Sequence, residues 1–555
     1  MTDRPRTRAT MLAGVALLAL TATGLTSCAG NDNGTAGGGG STLTIQGDAG
    51  NPTLVENFNP FQPATELHGG YLIYEPLEIR SPIDGSYTPF LATGYKFTNP
   101  KTLVYTIRQG VKWSDGKPFT AADVVFTFNL LKKNPALDGS GVWSQISGVS
   151  SSGNNVTFTF KQPNVPFAGV IAGTPIVPEH IWSTISDPTK YADTKPVGTG
   201  PFTLATFAPT QYSLKKNASY WQASKIAPSE VVFPAQSSSQ STNQLDVTSG
   251  KFDWSYNFLP DVKQTYVSRD PSHNTYWFPP GGAIGLFLNL TKAPYNDVNF
   301  RRGVSLSLDR NTIASKAING YLGQASQSGL ILPNLSKWLD PSLPNQGNVT
   351  QSKSAALAAF AQAGYTDKSG KLVDSAGHQA TMTITVPSNF SDWVAASKEV
   401  ATELGAVGVS VKVDLPQFAQ YTATTQAGTF DAALGGFGGT GDPYTDFNNA
   451  LNSSFAAAVN TPTANNFERF KSAAVDHALG TLAAATDTST EQSATHALEQ
   501  QMFSQVPVVL MYYGGSWGLF STKNFTGWPS ASNPYTLPTN YNNSLLTVLT
   551  HLTKS

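Results

Sequence analysis

Between residues 381 and 444 the hydrophobic pattern switches repeatedly between strand and helix periodicity, and this alternation constrains the fold more than any other feature. Residues 381–386 read as a strand. Ser391 opens a helix carrying Trp393, Val400 and Leu404 on its apolar side and ending at Gly405 or Gly408. Val409, Val411, Val413 and Leu415 alternate as a second strand, a helix follows over 417–427, and 430–434 gives a third strand. A β-α-β-α-β run predicts parallel strands joined by right-handed crossovers, and in such open sheets ligands bind beyond the carboxyl ends of the strands. The third strand runs directly into Gly435-Gly436-Phe437-Gly438-Gly439-Thr440-Gly441-Asp442-Pro443-Tyr444. This loop, with little side-chain bulk, is the predicted ligand loop, and Phe437, Thr440, Asp442 and Tyr444 are its candidate contacts.

Earlier stretches predict other local structure. Strand alternation appears at 102–108 and at Val156, Phe158 and Phe160; between them Thr120-Ala121-Ala122-Asp123 resembles a capping box opening a helix to about Lys133. This predicts an α+β lobe over 70–185. A short helix is expected at 71–77, and antiparallel strands at 202–207, 212–216 and 231–233.

The N-terminus carries Arg4, Arg6 and Arg8, an apolar stretch over 11–22 and then Leu25-Thr26-Ser27-Cys28, the pattern of an export signal that is too short for a mature membrane span. Leu-Thr-Ser-Cys resembles the lipobox of bacterial lipoproteins. That resemblance implies cleavage after residue 27, lipidation of Cys28 and a Gly-rich leash over 28–42, with two or three acyl chains keeping the protein at the membrane surface. Cys28 is the only cysteine, so disulfides and cysteine metal sites are excluded. Loss of residues 1–27 removes three Arg and one Asp, leaving 32 basic against 35 acidic residues, net −3. A surface so weakly charged argues against nucleic acid as a partner.

The stretch Gly110-Val-Lys-Trp-Ser-Asp-Gly-Lys-Pro-Phe-Thr-Ala-Ala-Asp-Val124 closely resembles the signature of the family 5 solute-binding proteins of ABC importers, the oligopeptide, dipeptide and nickel group. Further matches stand in order at Tyr74-Glu75-Pro76-Leu77, 196–202, 217–221, 287–290, 296–301, 308–310 and 505–510. The resemblance spans about 43–520 and implies an α/β, periplasmic-binding-protein-like two-lobed fold with an additional α+β lobe. That makes three lobes, with the hinge between lobes I and III.

Lobe I is then expected at 43–69, 186–280 and 512–555, lobe II at 70–185 and lobe III at 281–511. The implied partners are an oligopeptide or an oligosaccharide, a permease pair with cytoplasmic ATPases, and the membrane through the N-terminal lipid, the receptor being a monomer. No cofactor is expected. In peptide-binding members an aromatic followed closely by an aspartate takes the peptide's α-amino group; here the loop is shorter, and Asp442 stands either in that role or as a turn cap before Pro443. Asn59-Pro60-Phe61, 135–138 and 141–143 resemble the branch that binds β-linked oligosaccharides, whose sugar faces stack on aromatic rings. Trp254, Trp277, Trp517 and Phe437 are candidate platforms, beside Tyr74 and Glu75. Seven histidines show no close metal-ligand spacing, leaving nickel and haem as remote alternatives.

Gly514-Gly515-Ser516-Trp517-Gly518 fits the nucleophile-elbow pattern of serine hydrolases. After Ser516 the chain offers His551 but no Asp or Glu, and Gly527, Pro529, Pro534 and Pro538 break the helix that should follow. The expected reading is therefore a non-enzymatic receptor in which 512–516 returns the chain from lobe III to lobe I and Trp517 lines the cleft.

Overall fold

The computed structural model describes residues 41–47, 52–62 and 67–555. The expected signal segment, Cys28 and the expected leash as far as residue 40 lie outside the described residues. No helix among those described is long and apolar enough to cross a membrane.

Lobe II is built on an antiparallel sheet in the order Ala92–Asn99, Thr102–Ile107, Asn155–Phe160, Ile146–Ser152. Helix Ala121–Lys133 covers it. The helix begins where it does because Thr120 Oγ1 accepts from the Ala122 N–H (3.2 Å) while Asp123 reaches back to the Thr120 N–H (2.9 Å), satisfying donors that the first turn leaves unpaired. Its inward face presents Val124, Phe128 and Leu131, and Phe128 meets Phe158 of the sheet edge-on at 4.7 Å. Trp113, inside the signature stretch, is fully buried against Phe119, so that stretch holds lobe II together.

Lobe I contains a sheet ordered Thr42–Thr44, Glu230–Pro234, Gln211–Lys216, Phe202–Ala208, with only the first pair parallel. A second sheet sets the late strand Gly518–Ser521 between Trp254–Tyr256 and Asn274–Trp277.

Lobe III has five strands ordered Ser410–Asp414, Thr381–Thr385, Ala432–Phe437, Pro280–Leu288, Val508–Gly515. The first three are mutually parallel, as the periodicity predicts, and the last two run antiparallel to their neighbours. Met382 and Ile384 face inward from the strand, and Ala396, Val400 and Leu404 from helix Ser391–Ala406. In one respect the sheet departs from the expectation. Gly435, Gly436 and Phe437 are strand, not loop, because they pair with Gly285, Ile284 and Ala283 of the crossover strand, and this pairing overrides the low strand propensity of glycine.

The cores divide unevenly. One continuous apolar cluster runs from Leu43, Ile45 and Trp254 of lobe I to Leu103, Phe128 and Phe158 of lobe II. Lobe III buries its own clusters, one including Ile384 and Leu404, another Phe437 and Phe447, and a small third around Tyr421 and Phe430. Lobes I and II thus form one packed body and lobe III a second.

Candidate interlobe binding site

The chain passes between the two bodies along paired strands. Pro280–Leu288 carries it into lobe III and Val508–Gly515 brings it back, with Pro280 opposite Gly515 and a bulge between Pro280 and Gly282. Ser516 N–H donates to the Pro279 carbonyl at 2.8 Å, and a Cβ on Gly281 would lie 2.3 Å from Ser516 Oγ. Ser516 is therefore buried at a close backbone crossing, and a Cβ would lie 2.4 Å from the Trp517 ring at Gly515 and 2.3 Å from Pro538 at Gly518. Trp517 packs against Phe258 and Phe278, each at 5.1 Å, which seats the crossover on an aromatic cluster.

Beyond strand Ala432–Phe437 the chain turns through Gly438, Gly439 and Gly441, all at positive φ. At Gly439 this is a steric requirement as well, since a Cβ would lie 1.9 Å from the Gly281 carbonyl oxygen. The buried carboxylate of Asp446, in helix Pro443–Leu451, holds the turn: it accepts from Gly439 N–H (3.1 Å), Thr440 N–H (3.1 Å) and Thr440 Oγ1 (2.7 Å). Burial raises Asp446 to about 6 against those stabilising bonds.

Asp442 is committed as well. It caps the same helix by accepting from Tyr444 N–H (3.3 Å) and Thr445 Oγ1 (2.7 Å), and it forms an ion pair at 3.2 Å with Arg80 of lobe II. Arg80 also donates to the Gly441 carbonyl at 3.3 Å. The two bodies meet closely here: a Cβ on Gly85 would lie 2.7 Å from Gly441 O, and one on Gly441 would lie 2.6 Å from Ser81 O. Lys337 of lobe III adds a hydrogen bond to the Asp84 carbonyl at 3.1 Å.

The other predicted residues fall in different places. Thr440, Asp442 and Tyr444 share the loop, and Trp277 stands opposite Gly518, one residue from Trp517. Phe437 is buried in the lobe III core, 6.3 Å from Phe447, so its ring face is not offered to a ligand in this structure. Tyr74, Glu75 and Trp254 lie inside the lobe I–II body. Tyr74 donates to Asp193; Glu75 accepts from Tyr220 Oη (2.8 Å) and Trp221 Nε1 (3.0 Å), and burial pushes it up to about 7. Trp254 is fully buried beside Trp528 and donates to the Pro538 carbonyl. Interior packing thus takes up these three, which corrects their expected place in the cleft. Sequence reading missed Arg80 and Asp446. The first-turn acid of a helix opening Asp-Pro was a usable signal for Asp446, whereas nothing local marks Arg80.

Cavities flank the interlobe contact. In the lobe I–II body one of about 550 Å³ is lined by Phe61, Tyr71, Asp138, Val142, Gly169 and Asn543, among others. It gathers residues from the three segments that resemble the oligosaccharide-binding branch, and Gly169 lies against Arg80 and Tyr87. In lobe III a cavity of about 230 Å³ is lined by the Gly436, Phe437, Gly438 and Thr440 stretch. A larger space of about 1080 Å³ lies around Arg108, Trp221 and Tyr535, and like the 550 Å³ cavity it has no lobe III residue in its wall. Among the described residues no group of three His, Cys, Asp or Glu side chains is placed to hold a metal ion.

Two bodies joined by paired crossover strands, with an interlobe loop and flanking cavities, define a hinged solute-binding protein. Residues 86–458 match the bacterial extracellular solute-binding proteins, family 5, and the chain belongs to that family. The family comprises binding components of transporters, and no catalytic family is indicated.

Among relatives, the peptidoglycan-binding protein YepA of Agrobacterium fabrum is 25% identical over 517 residues, covering 81% of this chain and 80% of its own. The periplasmic oligopeptide-binding protein OppA of Salmonella typhimurium is 25% identical over 511 residues, covering 83% of this chain and 84% of its own. A crystal structure of a periplasmic oligopeptide-binding protein from Thermotoga maritima superposes with a TM-score of 0.85 at 25% identity, over 93% of this chain and 99% of that one. A mannohexaose-bound structure of a Thermotoga maritima protein with the same description gives a TM-score of 0.77 at 25% identity, over 93% and 98%.

Proposed function

We propose that this chain is the extracytoplasmic receptor of an ABC importer, tethered through a lipid on Cys28, and that it captures oligopeptides by lobe closure for delivery to a permease pair powered by cytoplasmic ATPases. It acts as a monomer. One observation carries the peptide reading. Strand Thr381–Thr385 pairs with Ala432–Phe437 only at Ala432 and Ala433, so toward Gly435–Phe437 that edge has no strand partner among the described residues. Gly436 is exposed with open space where a side chain would stand. An unpaired edge of this kind accepts an extended main chain by strand addition, a mode that reads backbone and tolerates varied side chains. Binding that bridges both bodies then shifts the open and closed populations, which requires differential affinity of roughly 5.5 kcal/mol to move them from 1:99 to 99:1.

A second reading, β-linked oligosaccharides, is favoured by Asp442. Its carboxylate is spent on Arg80 and the helix cap, so it supports turn capping over an α-ammonium anchor. The cavity near Phe61, Tyr71 and Asn543 is lined by aromatic and amide side chains, the residue types suited to sugars.

A thermal-shift screen against peptide and β-oligosaccharide libraries tests both readings, since ligands that bind only the native state raise the unfolding temperature. Stabilisation by peptides is the expected result. Stabilisation by sugars alone overturns the peptide reading, and product release from ester or glycoside substrates that is lost in Ser516→Ala overturns the receptor class.

A further inference from the structure

Glu468 is fully buried, and neither of its carboxylate oxygens accepts a hydrogen bond from another residue. Its sequence neighbour Arg469 attracts it electrostatically but makes no hydrogen bond with it. Arg469 directs its guanidinium to the carbonyls of Thr425, Gln426, Thr461 and Phe467. Glu468 lines the 230 Å³ lobe III cavity together with Asp446, Asn465, Phe287, Phe437 and Phe467. The rings of Phe287 and Phe467 lie 4.5 Å apart there, and Gly436 to Gly438, the end of the open strand edge, form part of the same wall. An unpaired buried carboxylate is costly to a fold unless something else supplies its partner, and aromatic rings beside carboxylates suit a desolvated cation.

We propose that this cavity is a subsite for an ammonium group of the bound ligand, with Glu468 as counter-charge and the rings of Phe287 and Phe467 as its apolar walls. The assignment rests on the receptor reading and deepens it by naming a charged group that the ligand carries. Asp446 is committed to the Gly439–Thr440 turn, which leaves Glu468 as the carboxylate free to pair. Burial raises Glu468 to about 8, as fits a carboxyl without a hydrogen-bond partner. The ammonium can come from a peptide or from an amino sugar.

The test is calorimetric titration of the full-length protein and its Glu468→Gln variant with matched ligands. One pair is a lysine-containing peptide and its N-terminally and side-chain acetylated form; the other is a glucosamine oligomer and the corresponding N-acetylglucosamine oligomer. In wild type the ammonium member of one pair is expected to bind at least tenfold more tightly. Glu468→Gln should abolish that preference while changing the neutral member's affinity less than twofold. The variant should unfold at the same or a higher temperature, because the amide removes a buried ionisable group. Equal binding of both members, or equal weakening of both by the variant, overturns the ammonium subsite and leaves the receptor reading standing. Binding of neither pair to wild type overturns the receptor reading and the subsite with it. The pair that responds identifies the ammonium's source.

Discussion

Two carboxylates on the same lobe, Asp442 and Glu468, have opposite circumstances. Asp442 sits in the loop where the sequence points to a ligand, yet a helix N-terminus and an arginine from the other body already hold it. Glu468 sits in a stretch with no sequence signal, and no other residue donates to its carboxylate. What separates the two is availability and not position in a motif. A carboxylate with its partners in place stabilises one arrangement of the chain, whereas an unpartnered one stores a preference for whatever arrives.

The largest expected effect is steric. Gly441→Val places carbon where Ser81 O stands 2.6 Å away, at a backbone φ of +74° that β-branched residues rarely adopt. Loop and lobe II turn then cannot meet, and ligand affinity should fall roughly 100-fold, about 2.8 kcal/mol. Small-angle scattering should show the two bodies staying apart when ligand is added, and compaction equal to wild type would refute the contact's role in closure.

A smaller effect is expected from Arg80→Gln, which leaves Asp442 with its cap but without its cation. Affinity should drop about tenfold, and the Arg80→Gln, Asp442→Asn double variant should be no weaker than either single one, because both remove the same interaction. Additive losses in that cycle would mean that Asp442 also contacts the ligand.

Trp517→Ala tests whether the crossover needs its aromatic seat. Loss of the contacts with Phe258 and Phe278 should cost about 3 kcal/mol of stability, seen as a lower urea midpoint. An unchanged midpoint with lost affinity would instead make Trp517 a ligand contact.

The smallest effect is a pH dependence. Glu75, Asp446 and Glu468 are raised to about 7, 6 and 8 by burial, so the native state holds their protons more tightly than the unfolded chain does. The stabilisation is complete below the ordinary carboxyl range and is lost as pH rises through 6 to 8. The unfolding temperature should therefore decline by a few degrees between pH 5 and pH 8.5, and Glu468→Gln should flatten part of that slope. A rise over the same interval would contradict the assignment.

Much of the architecture was legible in the chain. The alternation of strand and helix periods over 381–434 specified three parallel strands, and Thr120 with Asp123 marked a helix start. These are local patterns read by near neighbours. The extension of strand Ala432–Phe437 through two glycines was not legible, because its cause is pairing with a strand some 150 residues earlier, at Ala283–Gly285. Trp254 shows the same limit: a tryptophan that could line a cleft and one that must fill a core look alike in sequence, and the Pro538 carbonyl and the Trp528 ring decide between them.

Periodicity, turn chemistry and residue order are properties of the chain, and from them follow the family's architecture and the lack of an Asp or Glu between Ser516 and Ser555. Which carboxylates are spent and which are free does not follow from these. Arg80 reaches Asp442 across 361 intervening residues and Arg469 turns away from its own neighbour, and partnership of that kind is set by packing in space.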